Sequence, residues 1–398
     1  MSSSPATIPR DDSNRSLLFL DGLRGLAALY VIIFHATKGL VWEGFYGGYV
    51  FHPQQYSIPG QLVAYALFLF YYGHQAVLLF FILSGFVIHL RYARQRQTQP
   101  QASFDLGHFY WRRFKRIYPA LILALILTYV LDTHGILLVP AAQPIIAYVV
   151  SVHYDPILSH LFGTLIILPS PLPWGSDLPL WSLRLEWWYY LLYPVLWWLS
   201  RRSLGISTLF IMTLCTWFYI KSGDAISFGQ EFVSLLLVWW FGALLAEIYV
   251  GTLKIKFSWL APLALLLVPL LSSVAPFMEM NGNFRDILWG IGFAGLFATL
   301  FAWQRRGGSL RWLEWFKSLG NMSYTLYIVH MPIMVFIGAW LIAASPTSTL
   351  PMTYEWVVAS IIICLVIAWL LHFIVEKPFQ RRSAVKAVLL SPSPKTEG

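Results

Sequence analysis

Apolar stretches of membrane-spanning length recur along the chain, separated by short polar turns. A membrane helix needs about 20 largely apolar residues. Runs of that order fall at roughly 17–36, 61–90, 117–131, 180–199, 204–220, 232–250, 257–275, 287–303, 321–343 and 355–375. The pattern predicts an all-α integral membrane protein with about ten transmembrane helices. Residues 135–169 are apolar too, but Pro140, Pro144 and Pro156 cut them into pieces too short to cross singly with ease. They read as a re-entrant or interfacial hairpin, and a tightly paired two-helix crossing would leave the later orientations unchanged. The run 17–36 carries Asp21 and Arg24 in its apolar centre, so it is expected to be a retained first helix and not a cleaved signal. The organisation is then a polar tail at 1–16, one membrane domain at 17–378 and a second tail at 379–398.

Composition agrees with this reading. The 398 residues are 58% hydrophobic and 11% charged, against about 45–50% and about 25% in soluble domains. A disordered tail, a disulfide-stapled secreted scaffold and a cytosolic enzyme are excluded. The net charge of +9 follows from topology: with the N-terminus inside, only Lys38, Lys221 and Arg285 fall on outer segments. Arg24 and Arg184 lie within predicted helices, and the remaining Lys and Arg residues cluster on the inner segments. That asymmetry places both termini in the cytoplasm, and no nucleic-acid partner is needed to explain the charge. Cys215 and Cys364 sit in apolar runs with no metal-ligand spacing.

Ionisable groups inside a bilayer are costly, so each one is a functional candidate. Arg24 and His35 stand eleven residues apart in LFLDGLRGLAALYVIIFHA. On a helix that spacing returns them to within about 20° of one face and separates them by roughly 16 Å along the axis. Asp21 shares the face one turn earlier. A snorkelling Arg with an interfacial His is the bland alternative. Glu186, in LWSLRLEWWYYLLYP, lies at a depth similar to that of His35, and an acid can orient an imidazole and offset its charge. It could instead pair locally with Arg184 or Ser182. His330, in GNMSYTLYIVHMP, suits a core histidine as well as a catalytic one. The inner segment FYWRRFKRIYP groups Arg112, Arg113, Lys115 and Arg116 beside Trp111 and Tyr118, a pattern suited to phosphate binding and stacking or to anionic lipid headgroups. The outer segment VWEGFYGGYVFHPQQYSIPG could stack on sugar faces or anchor an aromatic belt.

These motifs, with FFILSGF and the final VEKPFQRR, appear in an order that resembles the acyltransferase family 3 membrane enzymes, and the likeness covers nearly the whole chain. The resemblance implies O-acylation of polysaccharides, lipopolysaccharide or related carbohydrate and glycolipid acceptors, with acyl-CoA, acetyl-CoA in particular, as co-substrate and no metal. It implies catalytic roles for Arg24 and His35, to which the residue reading adds Glu186. It places the acyl donor at Arg113 and Arg116, with Arg112 beside them. Asp21, Ser84, Ser323 and His330 are expected in support. A bacterial cytoplasmic membrane is the implied location, with membrane lipid and glycan-biosynthesis proteins as partners. Two departures stand out: Arg184 replaces a small polar residue, and Leu78 and Leu79 stand where an acidic residue often precedes the Phe pair. Some relatives carry a C-terminal esterase-like domain, and the short polar tail here is read as too short for one.

The expected mechanism is direct transfer. Donor phosphates bind the Arg cluster, the pantetheine arm rises along the first helix past Arg24, and His35 acts as general base toward an acceptor hydroxyl. An acyl-enzyme on Ser or His also fits. Two other classes remain open: a transporter using Arg24, His35 and Glu186 as a proton or substrate path, and a non-catalytic subunit of a glycan-synthesis complex.

Overall fold

Helices form where the apolar runs place them. The computed structural model describes residues 17–44, 52–138, 175–222, 228–254, 267 and 282–378. In chain order these form α1 (Leu18–His35), a π-type turn (Ala36–Leu40), α2 (Ile58–Phe68), α3 (Gly73–Thr98), α4 (Leu106–Leu138), α5 (Leu180–Arg202) and α6 (Leu204–Ser222). There follow α7 (Phe228–Val250), α8 (Gly282–Arg305), the short α9 (Arg311–Glu314) and α10 (Lys317–Asn321), α11 (Ser323–Ala344) and α12 (Glu355–Val375). No strand occurs among the described residues, as an all-α membrane protein requires.

Eight helical stretches among the described residues are long and apolar enough to cross a membrane, with α2 and α3 counted as one. α5 fills the expected run 180–199 yet is not among the eight, because Trp, Tyr, Arg184 and Glu186 dilute its aliphatic content. The expected helix at 257–275 falls outside the described residues except for Leu267, and the expected hairpin at 135–169 does so beyond residue 138. Both expected tails, 1–16 and 379–398, also lie outside them.

Two elements differ from the pattern reading. The single run expected at 61–90 breaks between Leu69 and Tyr72, where successive amides bond to carbonyls three residues back. The Tyr72 amide leaves the helical ladder and donates to the Tyr30 hydroxyl at 3.3 Å. α4, expected from 117, starts at Leu106, because the Asp105 carboxylate accepts the His108 amide at 2.9 Å and caps the helix. The Arg-rich stretch before the expected start at 117 is therefore helical.

The helices group into two units. The first contains residues 1–31, 72–104 and 185–321. Its most extensive pairing is α3 with α7, and α7 also packs on α6 and α8. The α3–α7 contact brings backbone to backbone: a Cβ on Gly85 would lie 2.0 Å from the Trp239 carbonyl oxygen, and one on Gly242 would lie 2.0 Å from that of Ile82. Small residues permit this approach in membrane helix pairs, where dispersion contacts drive association.

The second unit contains residues 32–71, 105–184 and 322–398. Here α11 is buried along most of its length and packs on α4 and α12. α12 leaves Val358, Ile362, Val366, Trp369 and Leu370 exposed, the apolar face expected toward lipid. Just before α5, Ser176 donates its amide and its hydroxyl to Asp132 of α4, at 2.8 and 2.5 Å. Asp177 follows, fully buried, and neither of its carboxylate oxygens has a hydrogen-bond partner among the described residues. Burial, and after it the neighbouring charge of Asp132, push the Asp177 carboxyl well above its ordinary value.

An acid raised in this way favours folding when protonated. Its contribution is full below the ordinary carboxylate range near about 4 and is lost as pH rises through the folded-state value. Asp177→Asn should therefore raise the thermal midpoint of the detergent-solubilised protein at pH 7. The gain should shrink as pH falls toward about 4, and a gain independent of pH would show that Asp177 is not held protonated.

Candidate active site

The glycines of the LDGLRG motif explain how α1 is held. A Cβ on Gly22 would lie 1.9 Å from the Leu313 carbonyl oxygen, and one on Gly25 would lie 2.7 Å from the Gly320 amide nitrogen. α1 thus presses directly on the backbone of 313–320 in the first unit. Arg24 emerges on a neighbouring face, partly exposed, with a guanidinium nitrogen 3.9 Å from the Asp21 carboxylate. A pair that long and that exposed contributes little to stability. His35 is the last residue of α1, where the α-helix gives way to the π-type turn. Gly39 takes a positive φ of 84° there, the left-handed conformation that commonly ends a helix. Lys38 in the turn lies over the Tyr71 ring, 4.1 Å from its centroid.

Within the second unit, His35 meets His330. The His35 Nδ1 lies 2.9 Å from the His330 Nε2, with ring centroids 5.0 Å apart. His330 is fully buried, whereas His35 is half-buried. The other nitrogen of His330, Nδ1, bonds to the backbone carbonyls of Tyr327 at 2.7 Å and Leu326 at 3.2 Å. The Tyr327 hydroxyl in turn reaches Ser182 Oγ at 2.8 Å, and that serine donates to the Pro179 carbonyl at 3.1 Å. Ser323, buried, opens the same helix.

Glu186 belongs to the first unit, where Ser84 donates to its Oε1 at 2.6 Å and the Tyr190 hydroxyl donates to the same oxygen. The Trp239 indole N–H donates to Ser84 Oγ at 3.3 Å. The structure therefore joins Ser84 and Glu186, which the sequence reading singled out separately. It adds Tyr190 and Trp239, which that reading missed. Tyr190 could have been read from its spacing one helical turn after Glu186, whereas nothing in the sequence marks Trp239.

Two further pairs in this unit were not anticipated. His74 Nε2 lies 2.9 Å from both carboxylate oxygens of Asp286. His89 Nε2 lies 2.8 Å from Glu247, which also takes the Arg96 guanidinium, while His89 Nδ1 meets the Tyr193 hydroxyl at 3.1 Å. No group of three or more metal-ligating side chains occurs among the described residues.

The cationic cluster occupies the first turns of α4. Arg112 and Arg116, both exposed, are one turn apart on one face. The Arg113 guanidinium sits 3.8 Å from the Phe109 ring centroid and donates to the Phe109 carbonyl at 3.2 Å. Trp111, Phe114 and Tyr118 stack in succession beside them, with centroids 5.7 and 4.3 Å apart. A cationic strip next to a ladder of partly exposed rings can hold phosphates and a planar base.

Comparison with known proteins decides the family, because the acyltransferase 3 family, described as "Acyltransferase domain", matches residues 17–373. The chain belongs to the acyltransferase 3 family. Among curated proteins it is similar to "O-acetyltransferase OatA" of Staphylococcus aureus strain MRSA252, 27% identical over 97% of this chain and 60% of the relative. It is likewise 27% identical to the protein of the same name from strain COL, over 96% of this chain and 60% of the relative. The chain thus spans about 60% of the length of these relatives. No solved structure matches it.

Within this acyltransferase 3 family member the Glu247 cluster tests how the buried charges support the fold. Glu247 is fully buried and Arg96 is 29% exposed. Removing one partner of a buried pair leaves the other charge uncompensated. Glu247→Leu should cost about 3 kcal/mol, at the low end of the range because Arg96 can reach water. Thermal unfolding in detergent measures the loss, and an unchanged midpoint would show that the cluster contributes nothing to stability.

Proposed function

We propose that the chain is a membrane O-acyltransferase that moves an acetyl group from acyl-CoA on the cytoplasmic side to a hydroxyl of a carbohydrate acceptor on the outer side. Family membership supports acyl transfer, and the O-acetyltransferase name of the OatA relatives supports an O-linked acetyl product. The observation that carries the site is the half-buried His35 at the end of a helix long and apolar enough to cross a membrane, with one ring nitrogen engaged by His330 at 2.9 Å. An imidazole held by one nitrogen offers the other for proton transfer.

In this reading His35 takes the proton of the acceptor hydroxyl as its oxygen attacks the thioester carbonyl carbon. The new C–O bond replaces the C–S bond, and the departing thiolate receives the proton from His35. Arg112, Arg113 and Arg116 bind the donor's phosphates by charge-assisted hydrogen bonds. Arg24 lies roughly 16 Å from His35 along α1, comparable to the reach of a pantetheine arm, and steadies that arm or the thioester. The Lys and Arg distribution supports cytoplasmic termini, and the bacterial relatives support a bacterial cytoplasmic membrane.

The experiment uses membrane vesicles carrying the full chain, radiolabelled acetyl-CoA at the cytoplasmic face and label in the endogenous glycan as readout. His35→Ala should abolish transfer, falling at least about 100-fold as expected for loss of a general base, without loss of membrane insertion. Unchanged transfer would remove His35 from the mechanism. Arg113→Gln with Arg116→Gln should raise the donor KM, and high salt should partly mimic the effect in the unaltered chain. An unchanged donor KM would return the cluster to a topology signal.

A further inference from the structure

We infer that His330 is a positioning residue that sets the tautomer of His35 and so determines which nitrogen acts as the base. The inference rests on the reading of His35 as the general base. It follows from what each atom in the hydrogen-bond chain can do. A backbone carbonyl can only accept. The His330 Nδ1, 2.7 Å from the Tyr327 carbonyl oxygen and 3.2 Å from that of Leu326, therefore carries a hydrogen. In a neutral ring the remaining nitrogen, Nε2, then holds a lone pair and must accept.

That nitrogen lies 2.9 Å from His35 Nδ1, so His35 donates from Nδ1. In a neutral His35 ring the lone pair then sits on Nε2. The chain of bonds runs in one direction: from His35 Nδ1–H to His330 Nε2, and from His330 Nδ1–H to the α11 backbone. When His35 Nε2 gains the acceptor's proton, the imidazolium still donates to the His330 lone pair, which is aimed at the positive charge. The Tyr327 carbonyl that anchors the chain belongs to a residue whose hydroxyl is itself tied to Ser182 at 2.8 Å. The anchor is therefore fixed at both ends of that residue. His330 is fully buried, so no bulk water competes for its nitrogens. The carboxylate expected to orient His35 accepts hydrogen bonds from Ser84 and Tyr190.

Two amides separate positioning from packing. The Gln side chain puts its amide where His330 has Nε2, and its oxygen can accept from His35 Nδ1–H. The Asn amide reaches only the position of Nδ1 and cannot bridge to His35. With transfer from radiolabelled acetyl-CoA to the endogenous glycan of membrane vesicles as readout, His330→Asn should lower kcat about 100-fold with little change in donor KM. His330→Gln should recover at least tenfold of that loss. Thermal midpoints of both purified variants show whether folding is matched. Equal kcat for the two amides at matched stability, whether high or low, would overturn the inference. If His35→Ala leaves transfer intact, the base reading itself fails. If His35→Ala abolishes transfer while His330→Asn leaves kcat unchanged, only the role of His330 fails.

Discussion

A hydrocarbon interior offers a polar side chain no water, so a buried donor or acceptor must find its partner within the chain. That constraint organises the polar chemistry of this acyltransferase 3 family member. The imidazoles of His35 and His330 bond to each other and then to backbone. Glu186 is met by Ser84 and Tyr190, and Glu247 by His89 and Arg96. Each partnership lets an ionisable or titratable group exist at membrane depth, and each also restricts what that group can do. A histidine whose Nδ1 donates carries its lone pair on Nε2 when neutral, and that assignment follows from the partner.

The apolar framework serves the same end by different means. Lipid tails are as apolar as leucine, so membrane helices associate through close packing. Gly85 and Gly242 bring α3 and α7 to backbone contact, and that pairing places Ser84 within reach of Trp239 on the facing helix. Gly22 and Gly25 seat α1 on the 313–320 backbone and leave Arg24 on a neighbouring face. The motif glycines are therefore packing devices, while the polar residues interleaved with them carry the candidate chemistry. Large aromatic side chains fill the remaining core: Trp42, Trp239, Trp240, Tyr189 and Tyr193 are all fully buried.

Much of this was legible in the sequence, for physical reasons that also explain the gaps. Long apolar runs must become helices in lipid, and hydropathy located most of the helices to within a few residues. The break at Leu69–Tyr72 was not legible, because it depends on Tyr30, some forty residues away, capturing the Tyr72 amide. The helical start of α4 was written in Asp105, but the charges that follow it left the segment outside the apolar run at 117–131. Arg24, His35 and Glu186 stood out because charge in an apolar run is rare. The pairings did not, since His330 reaches His35 across 295 positions and Ser84 reaches Glu186 across 102. No local pattern encodes such pairings. They depend on helix packing, which a single sequence does not display.

The central claim is that His35 presents an unprotonated Nε2 because His330 fixes its tautomer. It can be tested directly by nitrogen-15 NMR of the full chain in lipid, labelled at histidine, with the His35 signals assigned by comparison with His35→Ala. At a pH where the ring is neutral, the account predicts a protonated, pyrrole-type Nδ1 and an unprotonated, pyridine-type Nε2. The opposite assignment, with the hydrogen on Nε2 and Nδ1 accepting from His330, would contradict it.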